Sequence, residues 1–131
     1  MMTNQIQMVD LHRQYLRLKP ELDQAMQQVI DRTAFINGSE VKEFASQLAD
    51  YLHVPHVIPC GNGTDALQIA LMTLDLQPGD EVIVPDFTYV AAAEAAALLG
   101  LTPVFVDVEP DSFNLDPCKV EQVITKRTKV I

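Results

Sequence analysis

The feature that most constrains the fold is an alternation of short apolar runs with helical patterns over residues 56–131. The runs that we predict to be strands lie at 56–60, 81–84, 102–108 and, as the start of a fourth, 129–131. Helical patterns lie at 64–74, at 89–99 and after Asp116 and Pro117, which suit an N-cap and a first helical position. Strands that are apolar on both faces and alternate with helices are typical of a mainly parallel sheet covered by helices. The sequence therefore predicts an α/β fold.

Two helical patterns precede this alternation. Pro20 suits the first turn of a helix that fades near Thr33. Its apolar positions recur at helical spacing: Leu22, Met26, Val29 and Ile30. Asn37-Gly38 breaks the pattern, and Ser39 is a suitable N-cap for a second helix. The apolar positions of that helix are Val41, Phe44, Ala45, Leu48 and Leu52.

The composition argues against several classes of protein. The 131 residues include 9 Lys and Arg against 18 Asp and Glu, for a formal net charge of −9. An acidic surface repels phosphate backbones, so we expect no binding to nucleic acid or to an anionic membrane. The most apolar stretch, residues 90–99, is interrupted by Glu94 and is too short to span a bilayer. The N-terminus lacks the pattern of a signal peptide, so the expected location is the cytoplasm.

The residue types that bind metals form no recognisable ligand set. Cys60 and Cys118 lie far apart without a CxxC motif, and we expect ordinary buried or half-buried thiols and no disulfide. The three histidines fall on different elements: His12, His53 and His56. This spread favours surface or capping roles over metal ligation. Asp111 and Asp116 suit turn and cap positions, and the acidic residues around them lack the spacing of a calcium loop.

The segment most informative about function is CGNGTDAL, residues 60–67, in which a strand pattern runs into two glycines and a helix follows. Glycine lets the backbone turn sharply and approach a ligand closely. The free amides of a first helical turn favour an anion such as phosphate, to which the Thr64 hydroxyl can add a hydrogen bond. A plain strand-to-helix turn capped by Thr64 or Asp65 explains the spacing equally well. The segment lacks the fingerprints of dinucleotide and nucleoside triphosphate sites.

This loop and the segments around it resemble the DegT/StrS-type sugar aminotransferases, which depend on pyridoxal 5'-phosphate (PLP). NGTDAL at 62–67 resembles the signature of that family. The other matching segments follow in family order over nearly the whole chain: MVDL at 8–11 with Tyr15, FING at 35–38 followed by Glu40-Val41, PGDEVIVP at 78–85, FTY at 87–89, GLTPVFVDV at 100–108, IT at 124–125 and RTK at 127–129. Each segment alone is weakly specific, but together they are specific for the family.

The resemblance implies a fold and a cofactor site. The fold is the N-terminal part of the large domain of type I PLP-dependent transferases, an α/β domain with a mainly parallel sheet. Gly63, Thr64 and Asp65 match the loop that holds the phosphate of PLP, mainly through backbone amides. Tyr89 matches the aromatic residue that stacks on the cofactor ring. Without the resemblance, Tyr89 would be interpreted as a core aromatic residue at the start of a helix.

The resemblance further implies that residues 1–55 form an N-terminal arm with helices and that residues 56–131 begin the PLP-binding large domain of a longer protein. That protein would transfer an amino group from an amino acid, usually glutamate, to a keto group of a nucleotide-linked sugar, and would act as a homodimer. Three alternatives remain. They are a sugar dehydratase of the same family, in which a histidine replaces the PLP-binding lysine, a non-catalytic or regulatory relative, and an unrelated phosphate-binding protein on a doubly wound sheet.

None of the lysines in the chain resembles the one that binds PLP covalently in the family. The five are Lys19, Lys42, Lys119, Lys126 and Lys129. In the family, that lysine and the carboxylate that keeps the pyridine nitrogen protonated lie beyond the position of residue 131. No catalytic residue is therefore assigned, and the chain alone is expected to be inactive.

Overall fold

A computed structural model describes residues 8–131, and the chain divides into two compact units. The first unit ends at Pro59, and the second covers Cys60–Ile131. Residues 1–7, which are predicted to belong to the N-terminal arm, lie outside the described residues. The second unit contains the strands and most of the predicted site residues, so the fold of that unit positions the site.

The first unit contains a long helix, α1 (Leu11–Arg32). The helix begins well before Pro20, so the predicted start near Pro20 is wrong. Asp10 is the N-cap, because its carboxylate accepts a hydrogen bond from the Arg13 amide at 2.9 Å. Pro20 removes one helical hydrogen bond, but the cap and the helical spacing of apolar residues on both sides of Pro20 outweigh that loss. No helix within residues 8–131 is both long enough and apolar enough to cross a membrane.

The second helix of this unit, α2 (Ser39–Leu52), begins one position earlier than predicted. Gly38 occupies the N-cap position, and Ser39 is the first helical residue, so the predicted Ser39 cap is wrong. Asn37 has a φ of 49°, in the left-handed region, which confirms the predicted break between the helices. His53 follows the last turn with a φ of 54° and forms the C-cap, one of the two roles expected for the histidines.

Residues 56–60 do not form the buried strand that their apolar character predicts. Most of their side chains are exposed, and that of Ile58 is 81% exposed. A strand requires a neighbour that pairs with its amides and carbonyls. Among the described residues, no strand lies beside this segment. The local sequence favours an extended chain here, but the pairing that would make it a strand is missing.

The second unit is built on a parallel sheet, as predicted. Its strands are β1 (Glu81–Pro85), β2 (Thr102–Val106) and β3 (Thr128–Val130), in the order β2-β1-β3. Its helices are α3 (Gly63–Met72), α4 (Ala91–Leu98) and α5 (Pro117–Val123). Both neighbouring strands pair with β1 in parallel. The strands expected at 81–84, 102–108 and 129–131 are thus confirmed, although β2 ends two positions early, at Val106.

Successive residues of β1 point into two different apolar cores, because side chains alternate along a strand. The core on one face comprises Val82, Val84, Ala96 and Leu101, with Leu71 of α3 and several residues of α4 packed against it. The core on the other face comprises Ile83, Val106 and Val120, with Val123 of α5 packed against it. Helices therefore cover both faces of the sheet, and β1 is its buried central strand.

The connection from α4 to β2 is a Schellman motif around Gly100. Gly100 has a φ of 74°, and its amide donates a hydrogen bond to the Ala97 carbonyl at 3.0 Å. The Leu101 amide donates to the Ala96 carbonyl, also at 3.0 Å. Glycine adopts this left-handed backbone without steric cost, which confirms the predicted role of Gly100 at the end of the helix. Asp116 likewise caps α5, as predicted.

Glu81, at the start of β1, is a buried carboxylate with only 3% of its surface exposed. It accepts hydrogen bonds from the Thr125 hydroxyl at 2.5 Å, from the Thr128 hydroxyl at 3.1 Å and from the Arg127 guanidinium at 2.7 and 3.0 Å. The hydrogen bond from Thr125, followed by those from Arg127 and Thr128, lowers the pKa of Glu81 below its ordinary value, although burial acts in the opposite direction. The network ties the start of β1 to the segment that leads into β3.

We expect Glu81→Gln to lower the midpoint of urea unfolding at pH 7, because an amide loses the charge-assisted hydrogen bonds of this network. The pKa of Glu81 is depressed in the folded state. Its stabilising contribution is therefore fully present above the ordinary carboxyl pKa of about 4.3 and is lost as the pH falls through the lower folded pKa. The difference between the variant and the wild type should shrink toward acid pH.

Glu121→Gln is the matched control for this experiment. Glu121 lies exposed on α5 and forms no side-chain hydrogen bond with residues 8–131, so the same chemical change should leave the midpoint nearly unchanged. Equal midpoints for the two variants at pH 7 would contradict the assigned role of Glu81.

Candidate functional site

The predicted phosphate loop leads directly into α3. Asn62 is the N-cap of that helix, since its Oδ1 accepts a hydrogen bond from the Asp65 amide at 2.9 Å. The Asn62 carbonyl accepts a further one from the Ala66 amide at 3.1 Å. Thr64 and Asp65 both lie inside the helix, so the alternative prediction that one of them is the cap is wrong. The loop therefore runs from the unpaired segment 56–60 into α3, with its cap just before Gly63.

The first two amides of α3 belong to Gly63 and Thr64, and neither donates a hydrogen bond to any residue of 8–131. The Thr64 hydroxyl likewise has no partner within that part of the chain. Residues 61–63 are exposed and Thr64 is half-buried. The N–H groups of a first helical turn and the positive end of the helix dipole together favour an anion. The loop therefore offers two amides and a hydroxyl to a ligand.

The start of α3 and the segment after β1 line one cavity of about 400 Å³. Its walls are Gly63, Thr64, Leu67, Thr88, Tyr89, Ala91 and Ala92. Three of the four residues predicted to bind the cofactor, Gly63, Thr64 and Tyr89, thus lie on the same cavity. Asp65 does not line it, and both its amide and its carboxylate are hydrogen-bonded to the side chain of Asn62.

Tyr89 lies between β1 and α4 and is 80% exposed. Such exposure does not suit a core residue, and it leaves the face of the ring available to a ligand. In the same segment, the ring of Phe87 contacts that of Phe113 with the centroids 5.3 Å apart. Phe113 has a φ of 57°, an unusual backbone for a bulky residue. Both rings are more than half exposed, so this contact is a surface link between the segment that carries Tyr89 and the loop of Phe113.

Gly61 and Gly63 are glycines for different structural reasons. A Cβ on Gly61 would lie 2.7 Å from Oδ2 of Asp65, which is closer than real contacts of this kind. A Cβ on Gly63 would meet no atom within 4 Å. Gly61 therefore makes room for the Asp65 side chain, whereas no neighbouring atom requires glycine at position 63. The open space at Gly63 is available to a ligand in the cavity that it lines.

The cysteines and histidines take no part in this site. Cys60 and Cys118 are both exposed, so the prediction of buried or half-buried thiols is wrong. Cys60 lies in the unpaired segment before α3, and Cys118 lies in the first turn of α5, outside both cores. The three histidines are also exposed: His12, His53 and His56. Within residues 8–131, no group of three His, Cys, Asp or Glu side chains could hold a metal ion.

Lys119 lies in an ion pair and not in the environment of a reactive amine. Its Nζ donates a hydrogen bond to the Asp107 carboxylate, and Asp116 lies 4.0 Å away. The hydrogen bond between Lys119 and Asp107 raises the pKa of Lys119 and lowers that of Asp107. An amine that is held protonated is a poor nucleophile. The structure thus gives no reason to assign the PLP-binding lysine to Lys119.

Two residues of the site have no role assigned to them by the sequence. Asn62, Thr64 and Asp65 are all of residue types that cap helices well, so local preference does not show which of them is the N-cap. Thr88 lines the cavity beside Tyr89. Its only signal in the sequence is its position next to that aromatic residue.

Together, the parallel sheet, the unbonded amides at the start of α3 and the exposed ring on the same cavity define an α/β protein with a candidate ligand site at the start of a helix. A sequence model of the DegT/DnrJ/EryC1/StrS aminotransferase family matches residues 17–131. The chain therefore belongs to this family. The match confirms the resemblance drawn from the NGTDAL loop and the segments around it.

Individual relatives agree with this assignment. The chain is 50% identical over 126 residues to the UDP-2-acetamido-2-deoxy-3-oxo-D-glucuronate aminotransferase of Pseudomonas aeruginosa, which covers 96% of this chain and 35% of the relative. It is similar to the crystal structure of a DegT DnrJ EryC1 StrS aminotransferase from Brucella abortus, with a TM-score of 0.89, 44% identity and coverage of 96% and 35%. It is also similar to the E. coli GDP-4-keto-6-deoxy-D-mannose-3-dehydratase with bound hydrated PLP, with a TM-score of 0.75, 26% identity and coverage of 82% and 29%. These structures confirm the predicted fold class, and the chain spans about a third of the length of the relatives.

We expect Gly63→Ala to be at least as stable as the wild type, with a free energy of unfolding unchanged or higher by up to about 1 kcal/mol, because Ala is the better helix former. Gly61→Ala should be less stable, because its Cβ displaces the Asp65 carboxylate that Asn62 holds. Thermal unfolding of both variants without added ligand measures the difference. If Gly63→Ala proves less stable than Gly61→Ala, this account of the two glycines is wrong.

Proposed function

We propose that the chain is the N-terminal part of a PLP-dependent aminotransferase that moves an amino group from an amino acid, with glutamate as the expected donor, to a keto group of a nucleotide-linked sugar. Membership of the family supports aminotransferase chemistry. The relative from P. aeruginosa is named for a UDP-linked 3-oxo sugar acid, which supports the class of acceptor. Because the chain spans about a third of its relatives, the proposed activity is that of a longer protein.

The observation that carries the proposal is that two residues with unbonded amides, Gly63 and Thr64, and the exposed Tyr89 line one cavity. PLP has a doubly charged phosphate and a flat ring, and this pair of features suits both. The amides of Gly63 and Thr64 would bind the phosphate, and the Tyr89 ring would lie against the pyridine ring. A cavity of about 400 Å³ is within the usual range for small-molecule sites. The residues present therefore fit the cofactor.

When bound, PLP supplies the electron sink for bond breaking at the substrate's α-carbon. The residues of this chain would supply orientation. Gly63 and Thr64 would fix the phosphate end, and Tyr89 would fix the plane of the ring. A fixed ring plane lets the rest of the site hold the breaking bond perpendicular to it, which is the geometry that the reaction needs.

Asp65 has a different place in this proposal from Gly63 and Thr64. All three match the phosphate loop of the family, but the Asp65 amide is already bonded to Asn62. The proposed amide donors to the phosphate are therefore Gly63 and Thr64, with the Thr64 hydroxyl as a third donor. Asp65 would belong to the phosphate loop as a residue of the first helical turn, without donating its amide to the phosphate.

The rest of the proposal follows the family resemblance. The amine that binds PLP and the carboxylate that pairs with the pyridine nitrogen would come from sequence outside this chain. The longer protein would act as a homodimer in the cytoplasm, with an amino acid and a nucleotide sugar as its substrates.

A PLP-dependent sugar dehydratase is the second candidate, favoured by the likeness to the E. coli dehydratase. In the family, dehydratases carry a histidine where aminotransferases carry the PLP-binding lysine. Borohydride treatment of the full-length protein separates the two. An aminotransferase should keep PLP covalently attached after denaturation, whereas release of the PLP would favour the dehydratase.

We expect Gly63→Val in the full-length protein to lose PLP on desalting, because the added side chain occupies the space beside the phosphate-binding amides. The absorbance of bound PLP per mole of protein measures this retention. Cys118→Ser is the control, since Cys118 is exposed on α5 and does not line the cavity, and it should retain PLP like the wild type. Equal retention by the two variants would count heavily against the loop assignment.

We expect Tyr89→Ala to weaken PLP binding roughly three- to tenfold, the range that a stacked aromatic pair contributes beyond its buried area. Tyr89→Phe keeps the ring and should bind PLP nearly as the wild type does. Because Tyr89 is so exposed, the alanine variant without cofactor should unfold within about 0.5 kcal/mol of the wild type. Titration of the cofactor-free proteins with PLP gives the affinities. An alanine variant with wild-type affinity would rule out stacking by Tyr89.

A further inference from the structure

Asn62 uses both polar atoms of its side chain on a single residue, Asp65. Its Oδ1 accepts a hydrogen bond from the Asp65 amide at 2.9 Å, and its Nδ2 donates one to Oδ2 of Asp65 at 3.1 Å. Asn62 is the N-cap and Asp65 the third helical residue, so the pair is a variant of the capping box in which the side-chain amide replaces the backbone amide of the cap. Capping the helix would need only the first of these bonds.

The first bond decides which amides remain available. Of the first three N–H groups of α3, that of Asp65 is bonded to Asn62, while those of Gly63 and Thr64 have no acceptor within residues 8–131. The two unbonded amides belong to residues that line the cavity, and the bonded one does not. The cap thus leaves unbonded the amides of the two residues that line the cavity.

The second bond decides where the Asp65 carboxylate lies. It is held over Gly61, so close that a Cβ on Gly61 would lie 2.7 Å from Oδ2. A carboxylate in the first turn is attracted by the same positive helix end that attracts a phosphate. Two anions at one helix end repel each other, so a carboxylate free to rotate would compete with the ligand.

We propose that Asn62 is a positioning residue for the cofactor phosphate, which it favours by holding the Asp65 carboxylate away from the amides of Gly63 and Thr64. The inference rests on the proposed function of the loop. Aspartate at position 62 could cap the Asp65 amide but has no proton to donate to the carboxylate, and serine or threonine would have to accept and donate through a single oxygen. Asparagine divides the two hydrogen bonds between two atoms, Oδ1 and Nδ2.

The test compares PLP with pyridoxal, which has the same ring but no phosphate, as ligands of the cofactor-free full-length protein. Asn62→Gly has no side chain to hold the Asp65 carboxylate, and glycine is well tolerated as an N-cap. We expect it to unfold within about 0.5 kcal/mol of the wild type and to bind PLP roughly fivefold more weakly, the effect of one misplaced charge at a helix end. Its affinity for pyridoxal should equal that of the wild type.

The double variant Asn62→Gly/Asp65→Asn removes the released charge and should recover most of the PLP affinity. This rescue distinguishes positioning from capping, because loss of a cap is not repaired by neutralising Asp65. Wild-type PLP affinity in Asn62→Gly, equal weakening of PLP and pyridoxal, or failure of the double variant to recover would each overturn the inference. A wild-type protein that binds pyridoxal as tightly as PLP would instead overturn the phosphate assignment itself, and the inference with it.

Discussion

The position of β1 determines where the candidate site lies. This strand is buried along its length and pairs in parallel on both sides with segments that are distant in sequence. Parallel neighbours cannot be joined by a tight turn, so another contact must fix how they meet. The Glu81 carboxylate provides this contact at the start of β1. It accepts hydrogen bonds from Thr125 and Arg127, which precede β3, and from Thr128, the first residue of β3. A buried carboxylate without those donors would be strongly destabilising. With β1 fixed, the segment at its carboxyl end, which carries Tyr89, is placed next to the start of α3.

Those parts of the fold that depend on local chemistry could be predicted from the sequence. The strands β1 and β2 follow from runs of apolar and β-branched residues, the end of α4 from Gly100, and the start of α5 from Asp116 with its proline. The loop that we propose binds phosphate could be located in the same way, because two glycines lie between a strand pattern and a helix pattern, but its assignment to a phosphate came from the family resemblance. The role of Tyr89 could not be decided locally. An aromatic residue near a helix start is equally compatible with a core position, and the structure places this one largely exposed, as the proposed stacking on PLP would need.

The parts that could not be predicted depend on partners outside the local sequence or on a choice among equal residues. Residues 56–60 have the composition of a strand, but a strand exists only beside another, and no described residues pair with them. Pro20 is a sound helix start by local rules, yet Asp10 supplies a cap further upstream and the helix runs through the proline. The cap of α3 is a choice among Asn62, Thr64 and Asp65, which have similar preferences. The backbone settles it, since Asn62 is extended, with a φ of −168°, and aims its side chain at the first turn.

The loop illustrates a general competition between capping a helix and using its end to bind a ligand. Every N–H group that a protein satisfies at a helix start is lost to a ligand, and every one left free destabilises the helix until a ligand arrives. In this loop, the geometry determines which amides are capped and which stay available to a ligand. Asn62 satisfies the third amide, and Gly61 leaves room for the carboxylate that Asn62 also holds. Gly63 is the exception, because no atom near it would touch a side chain placed there and its backbone does not require glycine. A glycine that the surrounding structure does not need, beside two unbonded amides, is what the proposed binding of a cofactor phosphate would require.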